Sequence, residues 1–137
     1  MLPVARREAR ERALSLLYEA EAKQASPGQV LDDLPVPPDA FTADLVRGVG
    51  ADVERIDGLI SRHAIGWALD RMPAIDRAVL RMATYELLAR PDVPTAVVLS
   101  EAVELAAGYS TDESGRFVNG VLSAIATDAR PDRPSEG

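Results

Sequence analysis

Apolar residues in this chain recur at three- and four-residue spacing, and no segment alternates apolar with polar residues as a half-buried strand would. That restricts the fold to packed helices. Val4 to Lys23 holds no glycine, and Pro3 sits where a first helical turn tolerates proline. Leu14, Leu17 and Tyr18 share a face that Glu21 continues. Ala9, Ala13, Leu16 and Ala20 form a flatter face, small enough for another helix, or a second copy of the chain, to approach closely. Ser26-Pro27-Gly28 ends this helix, and residues 29–34 suit one short helical turn.

After the break at Pro35-Val36-Pro37-Pro38, Asp39 is placed to cap a second long helix carrying Phe41, Leu45, Val46 and Val49. Gly48 and Gly50 should loosen or kink it before Val53, Ile56, Leu59, Ile60 and Ala64 resume the pattern. Pro73 opens a helix that is apolar on most sides and so reads as the buried central one. Arg90-Pro91-Asp92-Val93-Pro94 ends it. Val98, Ala102, Leu105 and Ala106 mark the next helix, stopping at Gly108. Asp112 or Ser114 should cap the last, in which Phe117, Val118, Val121, Leu122 and Ile125 align. Asn119-Gly120 falls inside this helical period, so the glycine is expected to permit close packing rather than to form a hairpin.

With aromatic residues at 4%, Ala, Leu, Val and Ile must fill the core. The expected core is Ile75, Val79, Leu80, Ala83, Leu87, Val98, Leu105, Phe117, Val121 and Leu122. A chain of 137 residues fits one domain, expected over 1–130. Residues 131–137 carry no apolar side chain and are expected to be a disordered tail.

Chemistry is narrowed by what is missing. There is no cysteine and His63 is the single histidine, which argues against Ser-His-Asp and Cys-His catalysis and against thiolate metal sites. His63, at a helix end, suits capping or solvent better than catalysis. Arg47-Gly48-Val49-Gly50 lacks the spacing and lysine of a phosphate loop. Asp32-Asp33 reads as a solvated face. The expectation is a protein without enzymatic activity, cofactor or metal. The N-terminus is charged rather than apolar, and no run approaches a membrane span, which fits a cytoplasmic location.

Net charge is −7, which disfavours nucleic acid over most of the surface. Residues 1–12 run against that trend, with four arginines and two glutamates giving +2 and leaving −9 for the rest. Arg6 and Arg10 are one helical turn apart and Arg7 flanks both. Guanidinium groups bind phosphates bidentately and stack on unpaired bases. The spacing alone fits an exposed helix laced with Arg–Glu pairs better than a phosphate site, because Glu8 and Glu11 are interleaved.

Three segments together resemble one family. Ala5-Arg6-Arg7-Glu8-Ala9-Arg10-Glu11, with Leu14 and Leu17-Tyr18, resembles the arginine-rich opening of NusB proteins. Asp76-Arg77-Ala78-Val79-Leu80-Arg81-Met82-Ala83-Thr84-Tyr85-Glu86-Leu87 looks like that family's central helix, with Asp92-Val93-Pro94 leading into Glu101-Ala102-Val103-Glu104-Leu105-Ala106. Arg116-Phe117-Val118-Asn119-Gly120-Val121-Leu122 closely matches its last helix. Glu8 stands where a third consecutive arginine is common, which lowers the expected strength of RNA binding.

The resemblance implies an all-α fold of two packed helical subdomains. It implies binding to boxA RNA, a single-stranded element of ribosomal RNA leader transcripts, together with the ribosomal protein NusE. The assembly would join RNA polymerase and suppress premature termination. Carried over by position, Arg6, Arg7, Arg10, Tyr18 and Arg116 would contact RNA. Asp76, Glu113 and Phe117 would contact the protein partner, with Asp76 facing solvent near its helix start and Phe117 either contact or core. Two other readings stand beside this one. One is a helical adaptor or homodimer associating through the alanine face. The other is a NusB-like module of a ribosomal RNA methyltransferase, which would need a catalytic domain for which these helices leave no room.

Overall fold

The structure, a computed structural model, describes residues 5–131. Pro3 and most of the tail expected to be disordered lie outside those residues. The described chain is all helical, with α1 Arg6–Lys23, α2 Pro27–Asp32, α3 Ala40–Ala51, α4 Val53–His63, α5 Ala74–Ala89, α6 Thr95–Tyr109 and α7 Asp112–Ala129. A single 3-10 turn at Leu69–Arg71 leads into α5. Helices α1, α2 and α3 pack on one another, and so do α4, α5, α6 and α7. Helix α5 touches both groups and joins them.

Local sequence sets most boundaries. Helix α1 ends on Gln24, which turns into the left-handed region at φ 55 and donates its N–H to the carbonyls of Ala20 and Glu21. Ser26 therefore does not end α1; its hydroxyl caps α2 by accepting from the Gln29 N–H. Asp39 caps α3 as expected, accepting from the Phe41 N–H at 3.0 Å. The last helix is capped by Thr111, whose Oγ1 accepts from the Ser114 N–H, rather than by Asp112 or Ser114. Asp112 is already the first residue of the helix.

The second long helix is two. The chain bends at Asp52, and neither Gly48 nor Gly50 breaks it. The reason is tertiary: both helices pack on α5, but α3 also packs on α1 and α2 whereas α4 also packs on α7, so the chain changes direction between them. Gly48 has a different task. A Cβ there would lie 2.1 Å from the Tyr85 ring, which is held in place by its hydroxyl's bond to Asp44 at 2.7 Å. Gly48→Ala should therefore cost about 1–3 kcal/mol by overpacking, read as a lower midpoint in urea unfolding. Gly120 has no such neighbour, since a Cβ there would meet nothing within 4 Å. The close approach expected at Gly120 occurs at Gly115, against Ala107 and Val103.

Eight of the ten expected core residues are buried; Ile75 and Phe117 are partly buried at its edge. The alanine face of α1 is fully occupied, with Ala9, Ala13, Leu16 and Ala20 in the core. It is the intramolecular seam of α1 and so is not available to a second copy.

Candidate functional site

Helix α1 runs antiparallel to α5, because Arg10 meets Glu86 while Glu21 meets Arg77 and Arg81. It runs parallel to α6, with Arg7 against Glu101 and Glu104 and Glu11 against the Tyr109 hydroxyl. These pairings place carboxylates from α5, α6 and the loop between them on the arginine-rich end of α1.

The arginines there have three different environments. Arg10 is in the interior, contrary to the expectation of a surface contact. It makes two hydrogen bonds to Glu86, at 2.9 and 2.8 Å, and the two side chains are only 4% and 2% exposed. Position 10 falls on the same face as Ala13 and Leu14, so helical geometry turns it inward. Arg7 is exposed but held by Glu101 at 2.7 Å and by Glu104. Its hydrogen bond holds the Glu101 carboxyl below the usual carboxylate range. Arg6 is half exposed, lies 4.4 Å from the Phe41 ring centroid and reaches Asp92 at 3.6 Å. Arg90 approaches the same ring at 5.0 Å, and Arg10 at 5.2 Å. Three guanidinium groups thus surround one phenylalanine, a favourable cation–π arrangement.

The basic tip inferred from residues 1–12 is therefore not basic in three dimensions. Arg6, Arg7, Arg10 and Arg90 face Asp44, Glu86, Asp92, Glu101 and Glu104. Local sequence could not reveal this, because most of those carboxylates lie some 80 to 100 positions from the α1 arginines they meet. Tyr18 stands exposed farther along α1.

The remaining expected residues converge elsewhere. Asp76, Glu113, Arg116 and Phe117 line one cavity of about 460 Å³, together with Trp67, Met72, Pro73, Ser110, Thr111 and Ser114. The starts of α5 and α7 build it. Asp76 and Glu86 are ten residues apart on α5, about 15 Å along the axis, so this cavity and the arginine cluster lie toward opposite ends of α5. Glu113 and Arg116 are exposed. Phe117 is half contact and half core, and packs edge to face on Trp67 at 5.8 Å.

Asp76 does not face solvent as expected. It is 3% exposed, and its Oδ1 has no hydrogen-bond partner. A buried unpaired acceptor costs about 1–3 kcal/mol, so this carboxylate stands ready for a donor. Trp67 was missed at the sequence level. The only signal was the single tryptophan, lying between two apolar runs without helical spacing. His63 bonds Asp128 at 2.9 Å, joining α4 to α7, which is a structural use. Among the described residues no group of three or more His, Asp or Glu is arranged to hold a metal, and no helix is long and apolar enough to cross a membrane.

Comparison with known proteins agrees with this architecture. The transcription antitermination protein NusB of Saccharopolyspora erythraea is 53% identical over 129 residues, covering 89% of this chain and 86% of that protein. The NusB of Acidothermus cellulolyticus is 50% identical over 127 residues, covering 88% and 86%. The solved T. maritima NusB superposes with a TM-score of 0.86 at 35% identity, covering 96% and 97% of the two chains. A NusB chain from a crystal structure of the antitermination factors NusB and NusE with double-stranded RNA gives a TM-score of 0.76 at 29% identity, covering 90% and 96%. A profile of the NusB family matches residues 7–127. The chain belongs to the NusB family.

Proposed function

We propose that this protein is a non-enzymatic, cytoplasmic transcription antitermination factor. It binds single-stranded boxA-type RNA of ribosomal RNA leader transcripts together with NusE and associates with RNA polymerase. The names of its relatives and the solved assembly of NusB and NusE with double-stranded RNA support the antitermination, NusE and RNA parts of this reading, and the single-stranded boxA element is what the resemblance of the arginine-rich opening implies. Arg6 and Arg7 serve as RNA-facing groups at the start of α1, with Tyr18 and Arg116 as further contacts. Arg10 acts from beneath, fixing α1 on α5. The methyltransferase-module and pure-adaptor readings have no comparable support.

The observation that carries the partner half is Asp76. A buried carboxylate oxygen without a partner, beside Trp67 and Phe117, suits a protein that brings an N–H donor and an apolar side chain. Glu113 adds negative charge at the rim. A basic partner also answers the electrostatic problem: at a net charge of −7 the chain alone repels RNA, and docking would neutralise the body while speeding encounter.

Calorimetry with purified NusE tests this reading. Asp76→Lys is unsuitable, because the site is buried and the lysine would destabilise the fold. Asp76→Asn keeps the shape and removes the charge; it should weaken NusE binding about tenfold, the cost of a charge-assisted hydrogen bond. No heat and no co-elution of the wild-type protein with NusE at tens of micromolar would defeat the proposal.

A further inference from the structure

We infer that Arg90 and Arg6 form a phosphate-binding site for the RNA backbone, and that Asp92 occupies this site in the free protein as a resident anion. The inference rests on the RNA-binding reading above and extends it to a residue outside the arginine-rich opening. Arg90 is held from the inside. One edge of its guanidinium faces inward, with Nη1 donating to Asp44 Oδ2 at 3.0 Å. Asp44 is fixed in turn by the Tyr85 hydroxyl, which donates to Oδ1 at 2.7 Å. The Phe41 ring lies against the same guanidinium. Arg90 is thus ordered before any ligand arrives, and the rotamer entropy that a free arginine would lose on binding is already spent.

Its other edge faces outward. Nε and Nη2 form a fork on Asp92, at 3.1 and 3.0 Å, and Arg6 Nη1 approaches the same Oδ2 at 3.6 Å. Asp92 is therefore an anion placed where two guanidinium groups converge. Its side chain is 53% exposed, in the loop just after α5 and two residues from Arg90. The neighbouring guanidinium keeps it ionised, since the Arg90 hydrogen bond holds its carboxyl below the usual range. A phosphodiester offers the same chemistry, with one negative charge on two oxygens that accept a guanidinium fork.

The exchange is feasible because the Asp92 carboxylate is half exposed and regains water when it leaves, while the incoming phosphodiester takes over the same guanidinium fork. The inner carboxylate, Asp44, is retained by Tyr85. Nothing comparable holds for Arg10, where buried Glu86 takes the guanidinium fork out of reach of solvent. Arg7 has its fork on Glu101 and its Nη2 on Glu104 as well, whereas the outer edge of Arg90 meets Asp92 alone. Of the arginines at this end, Arg90 has the ordered inner edge and the lightly covered outer edge that a phosphate site requires.

The test is RNA binding by the complex with NusE, using a single-stranded boxA-type RNA across a salt series. Asp92→Asn is compared with Asp33→Asn, an equal charge change at an exposed residue after α2. Asp92→Asn should bind about two- to fivefold tighter than wild type, the fold-change expected for an exposed ion pair, while Asp33→Asn should stay within about twofold. Arg90→Gln should bind about tenfold more weakly, with the slope of log affinity on log salt shallower by about 0.7, as for one lost phosphate contact on a single strand. Combining it with Asp92→Asn should give a smaller gain over Arg90→Gln than Asp92→Asn gives over wild type, since only Arg6 is left to be uncovered. If Asp92→Asn binds no tighter than Asp33→Asn, the resident-anion role is overturned, and an unchanged salt slope in Arg90→Gln overturns the phosphate contact. Should the wild-type complex bind no RNA at all, the RNA-binding reading itself fails and this site falls with it.

Discussion

Arg10→Ala is expected to destabilise the protein by about 3–5 kcal/mol, the usual consequence of leaving one member of a buried ion pair without the other. Glu86 would then be a charged carboxylate at 2% side-chain exposure in the interior, with its two guanidinium hydrogen bonds gone. The remaining charge near it is insufficient, since Arg6 and Arg90 are committed to Asp92 and Asp44. Urea unfolding followed by circular dichroism gives the value. The matched replacement Arg10→Met with Glu86→Leu should recover most of the loss, because a buried ion pair can be exchanged for apolar volume at little cost. A loss below about 1 kcal/mol for Arg10→Ala would show that Glu86 finds water, and that the pair is not closed as described.

This expectation changes how RNA-binding variants are designed. Replacing Arg6, Arg7 and Arg10 together would mix lost contacts with an unfolding defect. Arg6→Ala with Arg7→Ala leaves the buried pair intact and should lower RNA affinity without moving the unfolding midpoint by more than a small amount, because exposed pairs contribute little.

The second large effect is expected at Arg130, just beyond α7. Its side chain is buried, and its guanidinium donates to the carbonyls of Glu86, Leu87, Arg90 and Val93 and to the Thr95 hydroxyl, all within 2.9 to 3.1 Å. Three of those carbonyls belong to the last turn and cap of α5, at the negative end of the helix dipole, where those of Glu86 and Arg90 also accept from the Arg90 and Val93 N–H groups. Arg130→Ala should cost about 2–4 kcal/mol, since hydrogen bonds to a charged donor contribute more than neutral ones and five of them are lost together. Arg130→Lys should recover only part, because a single ammonium cannot span five acceptors. Amide exchange in the loop from Arg90 to Thr95 should accelerate in both variants. Unchanged exchange and stability in Arg130→Ala would remove the capping role.

The helical class, the placement of most helices and most of the core were legible in the sequence. Each depends on near neighbours: a period of three to four residues, Asp39 ahead of Phe41, Pro73 ahead of α5. What sequence could not decide depends on residues far apart along the chain. The break at Asp52 follows from two sets of packing partners and not from Gly48 or Gly50, and Gly48 is required by a ring on α5.

The same division runs through the functional residues. The sequence by itself determined that arginines open α1 and that Asp76, Glu113, Arg116 and Phe117 sit near two helix starts. Only the tertiary structure decided that Asp76 is buried with an unpaired oxygen, that Trp67 joins its cavity, and that Arg10 is an interior strut. Net charge per segment suggested a basic tip, but folding set Glu86, Asp92, Glu101 and Glu104 against it. Local pattern fixes which face of a helix each side chain occupies. Coulomb interactions act through space, so the charge a ligand meets depends on which helices the core brings together.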